Sequence, residues 1–295
     1  MSETREPLIY VNGEYYPKSQ AKISVYDHGL LYGDGIYEAI REYDGVIFKL
    51  REHIDRLFES AKSIKLDLGM TKEEMEKLVI ETVKKNGYRD AYIRIVVTRG
   101  AGRMGVDPRN CEKPTIIIIA EPRKPFLKKE GVEAIIASVR RIPNWALDPK
   151  IKTLNYLNNV LAKIEAINAG VDEAIMLNEH GYVTEASTEN IFIVKNKKLI
   201  TPPLEAGILR GITRETVMEL AKQLGYECEE KNLTSHDLYN ADEVFVTGTA
   251  AEIVPIIKID GRVIGDGKPG PITRELMKKF EEIRTDPRYG VKVYG

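Results

Sequence analysis

Hydrophobic and polar positions in the first half of the chain alternate with the period of paired strands. The Asn12-Gly13 dipeptide between two such stretches is typical of a two-residue hairpin. Thr71 and Glu74 are spaced as a capping box at the start of a helix. The predicted elements of this half are strands 8–11, 14–16, 36–42, 46–50, 91–99 and 115–120, and helices 52–64 and 71–86.

The second half alternates strands with helices. Its clearest helical pattern starts at Leu154 and ends at Gly170, a residue at which helices commonly stop, and Thr153 is the predicted N-cap. One apolar face of this helix is formed by Leu154, Leu157, Leu161, Ile164 and Ile167. The other predicted elements are strands 133–139, 172–177, 182–185, 193–194, 198–201, 242–246 and 256–259, a helix opened by 209–214 and ending at 224, and a helix at 271–284.

Composition narrows the functional classes. The chain has 295 residues, 43% hydrophobic and 30% charged, with a net charge of −1, so it predicts two ordinary domains and no basic face for nucleic acid. The aliphatic run at 116–119 is too short to span a membrane, and the N-terminus does not resemble a secretory signal. Two cysteines and four histidines argue against a disulfide framework or a metal site, and we expect a cytoplasmic protein.

A proline- and lysine-rich stretch suggests where the domains join. Residues 122–131 include Pro122, Pro125 and several lysines, a composition typical of a linker. We therefore expect an N-terminal α/β domain over 1–121 and a C-terminal domain over 132–295.

Lys152 is a candidate nucleophile. A helix N-terminus repels a cation, so a lysine directly before the 154–170 helix is not explained by the helix dipole, and Ile151 and Leu154 provide apolar neighbours. Most lysines are nevertheless solvated, and this stretch alone favours a surface lysine.

Two turns with small residues are candidate anion sites. Gly211-Ile212-Thr213 opens a helix, where unpaired backbone N–H groups and the helix dipole favour a phosphate, and residues 246–252 form a second small-residue turn that could add N–H groups. Simple helix capping is the alternative. No Walker or dinucleotide glycine pattern occurs. The polar residues at 186–190, between two strands, suggest a hydrogen-bonded site.

Arg94 is a candidate ligand-binding residue. It alternates onto the same strand face as Tyr92 and Val96, and a guanidinium among apolar neighbours usually has a carboxylate or phosphate partner. A structural ion pair is the alternative. His28, in an aromatic glycine-rich loop at 26–38, is expected to be a hydrogen-bonded structural residue rather than a catalyst.

Taken together, these motifs resemble the class IV (fold type IV) pyridoxal-phosphate-dependent aminotransferases. The resemblance runs from residue 10 to about 279 and is carried by the segments 32–38, 52–57, 151–156, 184–190, 211–214 and 248–252. It implies an α/β fold of two domains, with a small N-terminal α/β sandwich and a larger, β-barrel-like C-terminal domain with helices.

The resemblance also implies a cofactor, pyridoxal 5′-phosphate, and residues to bind it. Lys152 would form the Schiff base and move the proton, and Glu185 would pair with the pyridine nitrogen. Tyr156 would donate to the phenolic oxygen, and Leu209 would pack on the ring. Arg56, Ile212, Thr213 and Thr249 would hold the phosphate.

Within the family, two motifs favour branched-chain amino acid aminotransferases. Tyr92-Ile-Arg94 and the loop 104–108, Met-Gly-Val-Asp-Pro, match theirs. The alternative, a D-amino-acid transaminase, shares much of the second half, but its Arg-x-His motif is absent because Met104 and Gly105 follow Arg103. Aminodeoxychorismate lyase ranks last. A non-catalytic, cofactor-binding regulatory protein is the rival from another class, and Lys152, Glu185 and Arg56 together argue against it.

The same resemblance implies transamination between L-leucine, L-isoleucine or L-valine and 2-oxoglutarate, by a ping-pong mechanism. The expected substrate-binding residues are Tyr32, Tyr37, Tyr92, Arg94, Met104, Val106, Phe126, Thr249 and Ala250. It further implies a homodimer or higher oligomer, in which the 101–108 loop reaches the site of the neighbouring subunit. We expect no metal, nucleic-acid or membrane partner.

Overall fold

The computed structural model of the chain describes residues 6–122 and 128–294. The chain divides into two units. Unit 1 comprises Met1–Lys124, Ile151–Asn155 and Arg284–Gly295, and unit 2 comprises Pro125–Lys150 and Tyr156–Ile283. Half of the linker predicted at 122–131, residues 123–127, lies outside the described residues, and the predicted domain boundary stays a prediction.

Helices and strands follow one another along both units. Up to residue 121 they are β1 (Leu8–Val11), β2 (Glu14–Pro17), α1 (His28–Tyr32), β3 (Gly35–Tyr43), β4 (Val46–Phe48), α2 (Leu50–Ser63), α3 (Lys72–Asn86), β5 (Asp90–Thr98) and β6 (Thr115–Glu121). Beyond it they are β7 (Val132–Ile136), α4 (Leu157–Asn168), β8 (Glu173–Leu177), β9 (Val183–Ala186), β10 (Asn190–Lys195), β11 (Lys198–Thr201), α5 (Ile212–Gln223), β12 (Cys228–Glu230), α6 (Ser235–Tyr239), β13 (Glu243–Gly248), β14 (Glu252–Ile259), β15 (Arg262–Val263), α7 (Pro271–Ile283) and β16 (Gly290–Lys292).

Unit 1 is built on a sheet with the order β16-β4-β3-β5-β6-β1-β2. Helices α2 and α3 cover one face, where Ile36 and Ile40 of β3 and Ile93 and Ile95 of β5 share a core with buried helix residues such as Leu57. Because side chains alternate across a strand, the odd-numbered residues of β3 and the even-numbered residues of β5 face the other side. That second face carries the candidate residues Tyr37, Tyr92 and Arg94.

Unit 2 contains a second sheet, with the order β12-β11-β10-β13-β14-β7-β8-β9. A further pairing between Asn190 of β10 and Glu185 of β9 joins two strands of this path and closes six of them into a ring. Phe192 and Phe245 stack on one face of it, with ring centroids 5.0 Å apart. The ring agrees with the β-barrel-like arrangement expected from the sequence.

Several local predictions are confirmed. The Asn12-Gly13 turn joins β1 and β2 as an antiparallel hairpin. Thr71 Oγ1 accepts from the Glu74 N–H, and the Glu74 carboxylate accepts from the Thr71 N–H, which completes the capping box of α3. In the described ranges, no helix is long and apolar enough to cross a membrane.

The prediction for the start of α4 is wrong. The helix starts at Leu157 after Tyr156, so Thr153 is not its N-cap. Thr153 instead forms an antiparallel bridge with Ile36 of β3. The small residues Ala162 and Ala166 face inward, and the predicted apolar face lies outward. Its exposed residues are Leu157, Leu161, Ile164 and Ile167, together with Val160.

Candidate active site

Lys152 is buried at the point where the segment before α4 pairs with β3. The Tyr37 N–H donates to the Lys152 carbonyl over 3.0 Å, and the Leu154 N–H donates to the Gly35 carbonyl over 3.0 Å. A Cβ on Gly35 would lie 2.7 Å from the Leu154 side chain, so this approach requires glycine. The Lys152 N–H also donates to Ser60 Oγ of α2 over 3.2 Å. Lys152 is 9% exposed and is therefore not a solvated surface lysine.

The Tyr37 ring lies between two cationic side chains. Lys152 Nζ is 4.5 Å from the ring centroid, and Arg94 Cζ is 3.5 Å from it. Among the described residues, no carboxylate forms an ion pair with Arg94, so the structural ion pair considered above is not observed. Tyr92 shares the strand face of Arg94. The aromatic contact thus holds Arg94 while leaving it able to bind an anionic ligand.

Arg56 forms part of a buried cluster with Glu38 and His53. Its Nε and Nη2 donate to both carboxylate oxygens of Glu38, over 2.7 and 2.8 Å, and Nδ1 of His53 lies 2.8 Å from the same carboxylate. Arg56 and His53 hold the pKa of Glu38 well below its usual range despite burial, while burial lowers the pKa of His53.

The other predicted residues of unit 1 lie near α1 and the loop after β5. The hydroxyl of Tyr32 accepts a hydrogen bond from the Gly105 N–H over 2.7 Å. Met104 and Val106, in the same loop, are 71% and 83% exposed. Phe126 lies outside the described residues.

Glu185 is held by three hydrogen bonds and an ion pair within unit 2. Arg141 approaches Oε1 with Nε at 3.0 Å and Nη2 at 2.9 Å. Oε2 accepts from the Asn190 side chain over 3.1 Å and from the Leu209 N–H over 3.0 Å. Arg141 is in turn held by Asn159 over 3.2 Å. The carboxylate is therefore fixed in direction and paired with a cation.

The start of α5 provides backbone N–H donors near the hydrogen bonds of Glu185. Gly211 is the N-cap and makes no side-chain capping bond, so the N–H groups of Ile212 and Thr213 have no partner within the helix. A Cβ on Gly211 would lie 1.9 Å from Asn190 Oδ1, so only glycine permits this packing. Asn190 thus contacts both Glu185 and the start of α5. These N–H groups suit the phosphate of a ligand that also carries a group to pair with the Glu185 carboxylate.

The second small-residue turn connects β13 with β14. Thr249 and Ala250 lie in this turn, directly after Gly248. The preceding Thr247 carries a buried Oγ1 without a hydrogen-bond partner in the described part of the chain. Near the turn, burial and the neighbouring Glu173 raise the pKa of Glu189, so this side chain retains its proton more readily than an exposed glutamate.

Comparison with known proteins identifies the family. The family model described as amino-transferase class IV matches residues 35–259, which include Lys152 and Glu185. The chain belongs to this family. It is an aminotransferase.

Related proteins agree with this assignment. A Methanocaldococcus jannaschii protein, provisionally named a branched-chain-amino-acid aminotransferase, is 58% identical over 97% of this chain and 99% of its own length. The branched-chain aminotransferase from Thermoproteus uzoniensis, solved with norvaline, has 42% identity and a TM-score of 0.93 over 98% of this chain and 99% of its own. The T.th. branched-chain enzyme complexed with N-(5′-phosphopyridoxyl)-L-glutamate has 38% identity and a TM-score of 0.94 over the same shares. These structures show that the chain has the fold of this class of aminotransferase.

The sequence did not indicate which residues hold the predicted site residues Glu185 and Arg56 in place. Arg141 stands in a stretch without a recognised motif, and only the fold brings it to Glu185. Glu38 and His53 both occur in segments that carried the family resemblance, but neither was assigned a role. The available signal was the spacing of His53 and Arg56, one turn apart on a helix, with Glu38 on the strand opposite them.

Proposed function

We propose that this aminotransferase transfers the amino group between L-branched-chain amino acids and 2-oxoglutarate, giving branched 2-oxo acids and L-glutamate by a ping-pong mechanism. Pyridoxal 5′-phosphate is the cofactor. The observation that carries the proposal is the contact of one aromatic ring, Tyr37, with both the buried Lys152 and Arg94. It supports a reacting amine and a carboxylate-binding guanidinium at one place in unit 1.

The residues fit the cofactor in the chemistry of their donors. The bound cofactor supplies an electron sink for charge that develops at the substrate Cα. Lys152 would bind it covalently through Nζ and carry the proton to and from the reacting carbon. Glu185, fixed by Arg141 and Asn190, would accept the pyridine N–H. Tyr156 would donate to the phenolic oxygen.

The phosphate and the ring would be held by other residues. The N–H groups of Ile212 and Thr213 at the start of α5 provide donors and the positive end of a helix dipole. Thr249 and Arg56 would add hydrogen bonds, and Leu209 would pack on the ring. The buried Thr247 Oγ1 is a further donor available to a ligand in unit 2.

The substrate must be accommodated with either an apolar or an acidic side chain. Thr249 and Ala250 would bind its α-carboxylate through their N–H groups. Arg94 would bind the side-chain carboxylate of glutamate without needing a permanent partner, since Tyr37 already stabilises its charge. The apolar walls would come from the remaining predicted residues, Tyr32, Tyr37, Tyr92, Met104, Val106 and Phe126.

Ligands of the solved relatives support this dual specificity. The T.th. enzyme has been crystallised both with a phosphopyridoxyl derivative of L-glutamate and with 4-methylvaleric acid. The first carries an acidic side chain, and the second carries a branched apolar one. We propose that the present chain takes both classes of substrate.

We also propose that the protein is a homodimer or a higher oligomer. Met104 and Val106 are exposed in the loop that would reach the neighbouring subunit. The outward aliphatic residues of α4 are a further surface that self-association would cover.

Replacing Lys152 with alanine tests the proposal. The holoenzyme of Lys152→Ala is expected to lose transamination of L-leucine with 2-oxoglutarate while the phosphate contacts still retain the cofactor. Lys150→Ala is the matched control, because Lys150 is exposed and pairs only with nearby Asp148 among the ion pairs observed. Turnover of Lys152→Ala near that of the control would refute the assignment.

A further inference from the structure

Two segments of unit 1 are joined by backbone hydrogen bonds. The His28 N–H donates to the Gly100 carbonyl over 2.9 Å, and the Gly102 N–H donates to the Tyr26 carbonyl over 3.2 Å. Asp27 and Ala101 form the bridge between these bonds. The beginning of the 101–108 loop is thus attached to the residues that lead into α1.

The His28 side chain extends this attachment further along the loop. It is 1% exposed, and its Nε2 lies 2.9 Å from the Arg103 carbonyl oxygen. Because a carbonyl oxygen only accepts, Nε2 must carry the hydrogen, which assigns the imidazole tautomer. His28 therefore fixes the backbone immediately before Met104.

The same imidazole also contacts Tyr32. The two residues are four apart on α1, so their side chains lie on one face, and their rings meet edge to face with centroids 5.0 Å apart. The Tyr32 hydroxyl then accepts the Gly105 N–H over 2.7 Å. His28 and Tyr32 thus hold the loop on both sides of Met104.

We infer that His28 is a positioning residue for the recognition of apolar substrate side chains. The inference rests on the proposed function, which assigns Tyr32, Met104 and Val106 to the substrate. An apolar side chain offers no directional hydrogen bond, so its selection depends on the shape of the walls that meet it. His28 sets that shape by holding the ring and the loop in one arrangement. Glutamate would depend on it less, because its side chain binds Arg94.

The test compares two substitutions of His28 in the holoenzyme. His28→Phe keeps a ring but removes the donor to Arg103, whereas His28→Gln keeps an N–H donor. Loss of one hydrogen bond is expected to raise the Kd for L-leucine in the half-reaction about five- to tenfold in His28→Phe. The Kd for L-glutamate and the maximal rate should stay within about twofold of wild type. His28→Gln should restore leucine binding, and the exposed His180→Phe is the control.

Trypsin cleavage after Arg103 measures the attachment itself. The native holoenzyme of His28→Phe should be cleaved at Arg103–Met104 about fivefold faster than wild type, and His28→Gln at the wild-type rate. If His28→Phe does not fold, Tyr32→Phe removes the other hydrogen bond to the loop and is expected to change cleavage and leucine binding in the same direction.

The outcomes distinguish this inference from the proposed function. An unchanged leucine Kd in His28→Phe, an equal loss for leucine and glutamate, or no rescue by His28→Gln overturns the role of His28. If wild type reacts with neither amino acid, the proposed function fails and this role with it, whatever the cleavage rates.

Discussion

The guanidinium of Arg94 stacks on the ring of Tyr37, with Cζ 3.5 Å from the ring centroid. Both side chains leave the same face of the unit 1 sheet, Tyr37 from β3 and Arg94 from β5. A cation–π contact contributes about 0.5–2 kcal/mol and needs only the face of the guanidinium. Such a contact does not use the N–H groups at the edge of the guanidinium, which are the groups that bind a carboxylate.

Substitution of Arg94 should separate the two substrate classes. Arg94→Met is expected to slow the half-reaction with L-glutamate roughly 10- to 100-fold, because a hydrogen bond to a charged group contributes about 1.5–3 kcal/mol. L-leucine should lose less than about fivefold, since its side chain makes no bond to the guanidinium. Stopped-flow absorbance of the bound cofactor measures both. Arg94→Lys keeps the charge but not the forked guanidinium, so its rate with L-glutamate should lie between those of wild type and Arg94→Met. Equal losses for both substrates would contradict the assignment.

Substitution of Arg141 should destabilise the protein even without the cofactor. Arg141 and Glu185 are both buried, so Arg141→Met leaves the carboxylate without its cation. Breaking such a pair costs about 3–5 kcal/mol of unfolding free energy, which denaturant titration of the apoprotein measures. The neighbouring Arg140 is more accessible than Arg141, and Arg140→Met is the matched control. If the two variants are equally stable, Arg141 does not hold Glu185 as described.

The Glu38 cluster should make stability depend on acidic pH. The pKa of Glu38 in the folded state lies below the ordinary value of 4.5. The stabilisation is therefore present above pH 4.5 and is lost as the pH falls below 4.5 towards the folded-state pKa. Urea titrations between about pH 7 and about pH 3 should show this loss in wild type. The loss should be smaller in Glu38→Gln, which is also less stable at neutral pH. Glu73→Gln, an exposed position on α3, should follow wild type. A parallel pH dependence in Glu38→Gln and wild type would refute the argument.

The sequence was informative wherever one local pattern determined the structure. The Asn12-Gly13 hairpin and the Thr71–Glu74 capping box are set by neighbouring residues, and both are confirmed. The strand face of Arg94 followed from simple alternation. The motifs also identified the family, because several spaced segments carried the resemblance together.

The α4 region was predicted less well because non-local pairing competes with helix formation. Thr153 and Leu154 fit the helical pattern, but their pairing with β3 keeps them outside the helix. The aliphatic pattern itself was real, yet a pattern does not indicate whether an apolar face packs inward or lies exposed. The partners of the site residues were equally hidden, since Arg141 and Glu185 are 44 positions apart.

The central claim is tested most directly by the half-reaction of the purified holoenzyme with single amino acids. The bound cofactor absorbs visible light, and transfer of an amino group removes that band. We expect rapid loss of the band with L-leucine and with L-glutamate, and slow loss with D-alanine. Rapid reaction with D-alanine and slow reaction with L-leucine would contradict the account and favour a D-amino-acid transaminase. A protein that shows no cofactor band would instead favour a regulatory role.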